Sequence, residues 1–112
     1  MADVVVPLTA AAPTGVTSVP VSITTGNTYK VRNNGRVMLY FAKTGAGNAT
    51  ITVVTPKTVG GLAVADQSFT VPATTGKVWA GPFPPDIYND PSADVDITTD
   101  EGTAITVEAV QL

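Results

Sequence analysis

Few residues in this chain could do chemistry, and they are of one kind. The 112 residues include no histidine and no cysteine. That excludes Ser-His-Asp and Cys-His catalysis, disulfides, zinc fingers and most transition-metal sites. Carboxylates remain: Asp86, Asp90, Asp94, Asp96, Asp100 and Glu101 crowd one short stretch. Oxygen-rich clusters bind calcium, and Asp94 and Asp96, two apart, would point to one face of a strand. Their spacing lacks the EF-hand order of acids or amides at one, three and five, Gly at six and Glu at twelve. Two carboxylates across a cleft would suit a glycosidase, but no aromatic cleft is legible among seven aromatic residues. The expectation is solvated loop and edge carboxylates, with no catalytic residue, no metal ligand and no cofactor. Asn48-Ala49-Thr50 matches a glycosylation sequon. No basic region followed by an apolar stretch opens the chain, so no secretory signal is expected and the sequon reads as a chance match.

Charge is sparse, at 13% of residues, and unevenly placed. Residues 1–57 hold five bases and one acid, whereas residues 58–112 hold one base and eight acids, for a total of −3. This could mean solvated loops at two ends of a domain, or complementary faces that guide docking to a neighbour. Four bases near one turn are too few for nucleic acid, and no aromatic stripe accompanies them. No apolar run reaches about 18 residues, so no membrane span is expected.

The elements that must position these residues are strands. Eighteen Thr and seventeen Val make up nearly a third of the chain, against four Leu and two Glu. β-Branched side chains are stiff and suit a pleated surface. Ten Gly and nine Pro cut the chain into short pieces. Alternation predicts strands at 19–23, 28–32, 50–53, 69–71, 78–80, 95–98 and 105–110, and the run Val37 to Ala42 is apolar on both faces. That run should be a central strand covered by the opposing sheet on one side and by a loop or partner on the other. Asn33-Asn34-Gly35 precedes it. Asn34 and Gly35 tolerate positive φ, so a hairpin of 28–32 with 36–43 is expected there. Residues 55–66, with Pro56 and Gly60-Gly61, read as a longer excursion. Gly81-Pro82-Phe83-Pro84-Pro85 cannot pair in a ladder, since three of five residues lack an N–H, and reads as extended or turn structure. Such spacing predicts an all-β fold: one small β-sandwich, jelly-roll or immunoglobulin-like, with an extended N-terminal arm.

The arm is residues 1–15. Val4, Val5, Val6 and Leu8 form an apolar extended stretch interrupted by Pro7, and the small residues behind it read as a linker to a sandwich over 16–112. Trp79, Phe83 and Tyr88 lie close in sequence. They are either one core or rim cluster at an end of the sandwich, or an exposed aromatic anchor. Candidate interface residues are therefore Val4, Val5, Val6, Leu8, Trp79, Phe83 and Tyr88.

From Phe69 to Asp90 the chain reads F-T-V-P-A-T-T-G-K-V-W-A-G-P-F-P-P-D-I-Y-N-D, followed by V-D-I-T-T and a closing I-T-V-E-A-V-Q-L. Together with the Asn33-Asn34-Gly35 turn leading into an apolar strand, this resembles the small capsid decoration, or cement, proteins of tailed bacteriophages. The resemblance covers roughly residues 28–112, and G-P-F-P-P is its most specific element. It implies a non-enzymatic virion protein on the outer surface of the capsid, bound to the major capsid protein. It also implies contact with copies of itself, a trimer before other stoichiometries, and no nucleic acid or membrane. The other readings are a head-fibre, tail-tube or baseplate β-domain, or a carbohydrate-binding or adhesion module.

Overall fold

The computed structural model describes residues 2–112. The strands are β1 (Ala2–Val5), β2 (Leu8–Ala10), β3 (Val21–Ser22), β4 (Asn27–Arg32), β5 (Val37–Lys43), β6 (Ala49–Val53), β7 (Thr58–Val59), β8 (Leu62–Ala63), β9 (Gln67–Val71), β10 (Gly76–Ala80), β11 (Asp94–Thr99) and β12 (Ile105–Gln111), with a single helical turn, α1 (Pro85–Tyr88). Two sheets face each other. The first runs β1-β4-β11-β6-β9; the second runs β10-β5-β12-β2, with β3 also on β12. The fold is the expected all-β sandwich. Its core follows the period-two pattern: Val31, Ile51, Val53, Val95 and Ile97 from the first sheet meet Leu39, Phe41, Ile105 and Val107 from the second, all at or near zero exposure. β5 is central in its sheet, between β10 and β12.

The expected hairpin at Asn34-Gly35 does not form. β4 pairs with β1 and β11, while β5 pairs with β10 and β12, so the chain changes sheets at this turn. A tight type I′ hairpin needs positive φ at both central residues. Here Gly35 has φ +86° and Asn34 is not in the left-handed region. A turn with one left-handed residue splays its flanking strands, which suits a corner between sheets. Gly60-Gly61 meets the requirement, with φ +58° and +79°. There a tight hairpin closes, pairing Thr58 with Ala63 and Val59 with Leu62.

The N-terminal segment is not a separate arm. β1 lies parallel to β4 at the edge of the first sheet, and β2 lies parallel to β12 at the edge of the second. Val6, between them, is 2% exposed. Pro7 breaks the ladder where the chain crosses from one sheet to the other, so one short segment closes this side of the sandwich. Residues 11–20 are exposed and connect β2 to β3.

Candidate docking face

The outer faces of the two sheets differ in kind. On the first, β4 and β11 run antiparallel in a register that sets Arg32 opposite Asp94 and Lys30 opposite Asp96. Arg32 Nε lies 3.3 Å from Asp94, and Lys30 Nζ lies 3.0 Å from both Asp96 and Asp90. Thr98 on β11, Thr50 and Thr52 on β6, and Ser68 and Thr70 on β9 complete a polar surface. Bases and acids separated along the sequence therefore meet in space. Every ion pair among the described residues joins a base from the first half to an acid from the second; the others are Lys43–Glu101 and Lys57–Asp86. Of the two readings, solvated loops or complementary faces, neither describes the outer face of the first sheet, where register sets Lys30 and Arg32 against Asp90, Asp94 and Asp96 on one surface.

Asp90 and Asp96 in this network are shifted in opposite directions. Burial pushes Asp90 up, but hydrogen bonds from Lys30 Nζ and from the Asp94 and Ser92 N–H groups outweigh it and hold the carboxyl at about 2. Burial raises Asp96, and the neighbouring Asp90 carboxylate raises it further, against the lowering effect of Lys30. Lys30, bonded to Asp96 and Asp90, is held above its usual range. Lys43 is buried, with Nζ donating to Glu101 (3.1 Å) and to the Thr103 carbonyl (2.6 Å). Glu101 is lowered by the Thr103 N–H and then by Lys43. These groups satisfy one another. Among the described residues no three acidic side chains converge to hold a metal ion.

The outer face of the second sheet has no ion-pair network and mixes large apolar side chains with Lys77, Thr106 and Glu108. One row across it reads Trp79, Tyr40, Glu108, in register on β10, β5 and β12; the next brings Met38 opposite Val110. Trp79 is 60% exposed, and its ring lies 4.5 Å from that of Tyr40, tilted by 40°. Glu108 accepts from the Ser18 hydroxyl and, at 2.8 Å, from the Val19 N–H, so the loop after residue 15 is strapped across β12. The strap holds exposed Val19 beside β12. The second face of β5, which the sequence required something to cover, is thus covered partly by Trp79 and otherwise left half-exposed.

The predicted aromatic cluster splits. Phe83 is 5% exposed and belongs to the core, with Tyr88 half-buried edge-on to it at 5.5 Å. Only Trp79 faces out. Gly81 to Pro84 is irregular as expected, but Pro85 opens α1, because its fixed φ suits the first helical position. Sequence reasoning missed what holds this segment: buried Asn33 donates from Nδ2 to the Phe83 carbonyl (2.9 Å) and to Asn89 Oδ1 (2.6 Å), and Asn89 Nδ2 donates to the Asn33 carbonyl (3.1 Å). The corner asparagine therefore clamps the G-P-F-P-P segment. A residue expected only to turn the chain gave no signal for that role. Of the other interface candidates, Val6 is buried, Val4 and Leu8 pack half-buried against the core, and Val5 alone is fully open, at 75%.

Trp79 also lines a cleft of about 400 Å³ beside β9 and β10, together with Phe69, Val78, Phe83, Pro84 and Ile87. Comparison of the chain with known protein families, with curated proteins and with solved structures finds no match.

Proposed function

We propose that the protein is a structural virion component that binds the outer surface of a capsid shell and reinforces it by bridging neighbouring major capsid subunits. The observation that carries the docking side of this reading is the asymmetry of the two faces: one is laced with ion pairs, the other presents Trp79, Tyr40 and Met38. An exposed tryptophan on an otherwise regular sheet has the composition of an interface anchor. The resemblance from Phe69 to Asp90 supplies the partner. Bridging makes separation of any subunit pair break several contacts at once, so modest individual interfaces suffice. Binding that favours the assembled shell also stabilises it by mass action.

The test is occupancy on purified shells. Trp79→Ala should lower affinity about tenfold or more while leaving the melting temperature of the free protein unchanged. Undiminished occupancy would remove this face from the interface.

The stacked Trp79 and Tyr40 favour a second reading, a carbohydrate-binding module, since aromatic rings on a sheet face can stack on sugar rings. The 40° tilt between the rings leaves Trp79 as the single open platform. Saturable glycan binding abolished by Trp79→Ala, with no shell binding, would select that reading.

A further inference from the structure

The side of the sandwich opposite β1 and β2 is open. β9 ends the first sheet and β10 ends the second, and among the described residues each is paired on one side only. Between them lies the apolar cleft described above. Immediately before β9 the chain makes the β7–β8 hairpin, whose strands pair only with each other. An isolated two-stranded hairpin is marginal in water. This one carries no charged side chain from 58 to 65, and it exposes Val59 at 62% and Leu62 at 74%. The hairpin is rooted at the mouth of the cleft. Gln67, four residues past β8, lines the cleft, and Lys57 lies 4.0 Å from Asp86 on α1. One side of the molecule thus holds an apolar projection needing a surface and an apolar cleft needing an occupant, with a positive charge at the foot of one and a negative charge at the rim of the other.

We propose that the β7–β8 hairpin of one copy docks in the β9–β10 cleft of a second copy, and the second copy reciprocates. Because projection and cleft share one side, a two-fold pair closes both contacts in a single self-complementary interface. Lys57 then faces the partner's Asp86 in the same sense as it faces its own. The pairing buries Leu62 and Val59 against the Phe69 and Ile87 side of the cleft. It concerns the free protein in solution, and it shares with the proposed shell contact the Trp79 ring that lines the cleft.

Sedimentation of the full chain over a range of concentrations tests this. The expected result is a monomer–dimer equilibrium. Leu62→Asp places a charge on the hairpin, and Pro84→Asp places one in the cleft wall at a position where aspartate suits a helix N-cap. Each should weaken dimerisation about tenfold or more, with melting curves like that of the unsubstituted protein. Mixing the two variants should restore association above that of either alone, because the mixed pair keeps one hairpin and one cleft intact against each other. A protein that stays monomeric up to about 1 mM would overturn the proposal. So would association indifferent to Leu62→Asp, a mixture no better than its parts, or a closed ring of three or more copies.

Discussion

Phe83 and Trp79 are four residues apart and belong to different parts of the molecule. Phe83→Ala should remove a buried ring from the core and cost about 3–5 kcal/mol in a chemical-denaturation experiment, a large share of the ~5–15 kcal/mol typical of a whole domain. Trp79→Ala should change stability by no more than about 0.5 kcal/mol. Equal losses would contradict the burial assigned to the two. Asp90 has a sign that can be checked by pH. Its folded value, about 2, lies below its ordinary 3.8. The ionised form therefore stabilises the fold above pH 3.8, and that contribution is lost as pH falls towards 2. Asp96 is shifted the opposite way and does not add to this loss. In Asp90→Asn, Lys30 is left to Asp96 alone, and the two backbone donors keep an amide oxygen. The variant should be less stable at pH 7 by on the order of 1 kcal/mol, after allowance for screening. Its stability should fall less between pH 4 and pH 2 than that of the unsubstituted protein, as followed by urea denaturation at each pH.

At the scale of elements, the turns decide which strands meet. Gly35 at φ +86° directs β4 and β5 into different sheets, and a Cβ there would also come within 3.2 Å of Pro85. Gly35→Val forces a β-branched residue into the left-handed region and should cost on the order of 1–3 kcal/mol; an unchanged melting temperature would contradict the geometry of the corner. The N-terminal strands make a sharper case. An apolar segment with a central proline and a small-residue sequel has the look of a free arm. In the fold it supplies an edge strand to each sheet and buries Val6. Deleting residues 1–10 should therefore destabilise the domain by about 3 kcal/mol or more, rather than leave it intact and impaired only in binding. A truncated protein with the full melting temperature would restore the arm.

At the scale of the molecule, the sandwich is closed along one side by β1 and β2 and open along the other between β9 and β10. One broad face is laced with ion pairs, and the other carries Trp79, Tyr40 and Met38 among a few polar side chains. A protein that reinforces a shell needs a lattice to bridge, because two neighbours at fixed spacing exist only after assembly. Binding should accordingly saturate on assembled, expanded shells and be at least about tenfold weaker on unassembled capsid subunits. Decorated particles should survive higher temperature and stronger osmotic shock than bare ones. Particles that lack the protein yet match complete ones in both assays would count against reinforcement.

The fold class was legible in the sequence because it rests on local chemistry. Val and Thr favour the pleated strand, and alternation such as Asp94-Val95-Asp96-Ile97 marks which residues turn inward whatever the neighbour. The exclusion of Gly81 to Pro85 from any ladder was legible for the same reason, since a missing N–H needs no context. Strand partners were not legible. Asn34-Gly35 and Gly60-Gly61 both advertise a turn, and backbone φ at the first residue, set by packing of the whole corner, decides which one closes a hairpin. Sequence order places the bases in one half and the acids in the other. Only the antiparallel register of β4 and β11 makes Lys30 and Arg32 neighbours of Asp94 and Asp96 and turns an apparent polarity into an ion-paired face. The candidate docking face followed the same rule: Trp79, Tyr40 and Met38 come from separate strands, and nothing in their spacing says that they share a surface. Tertiary structure decided that, because a sheet face is assembled across strands whose pairing is non-local.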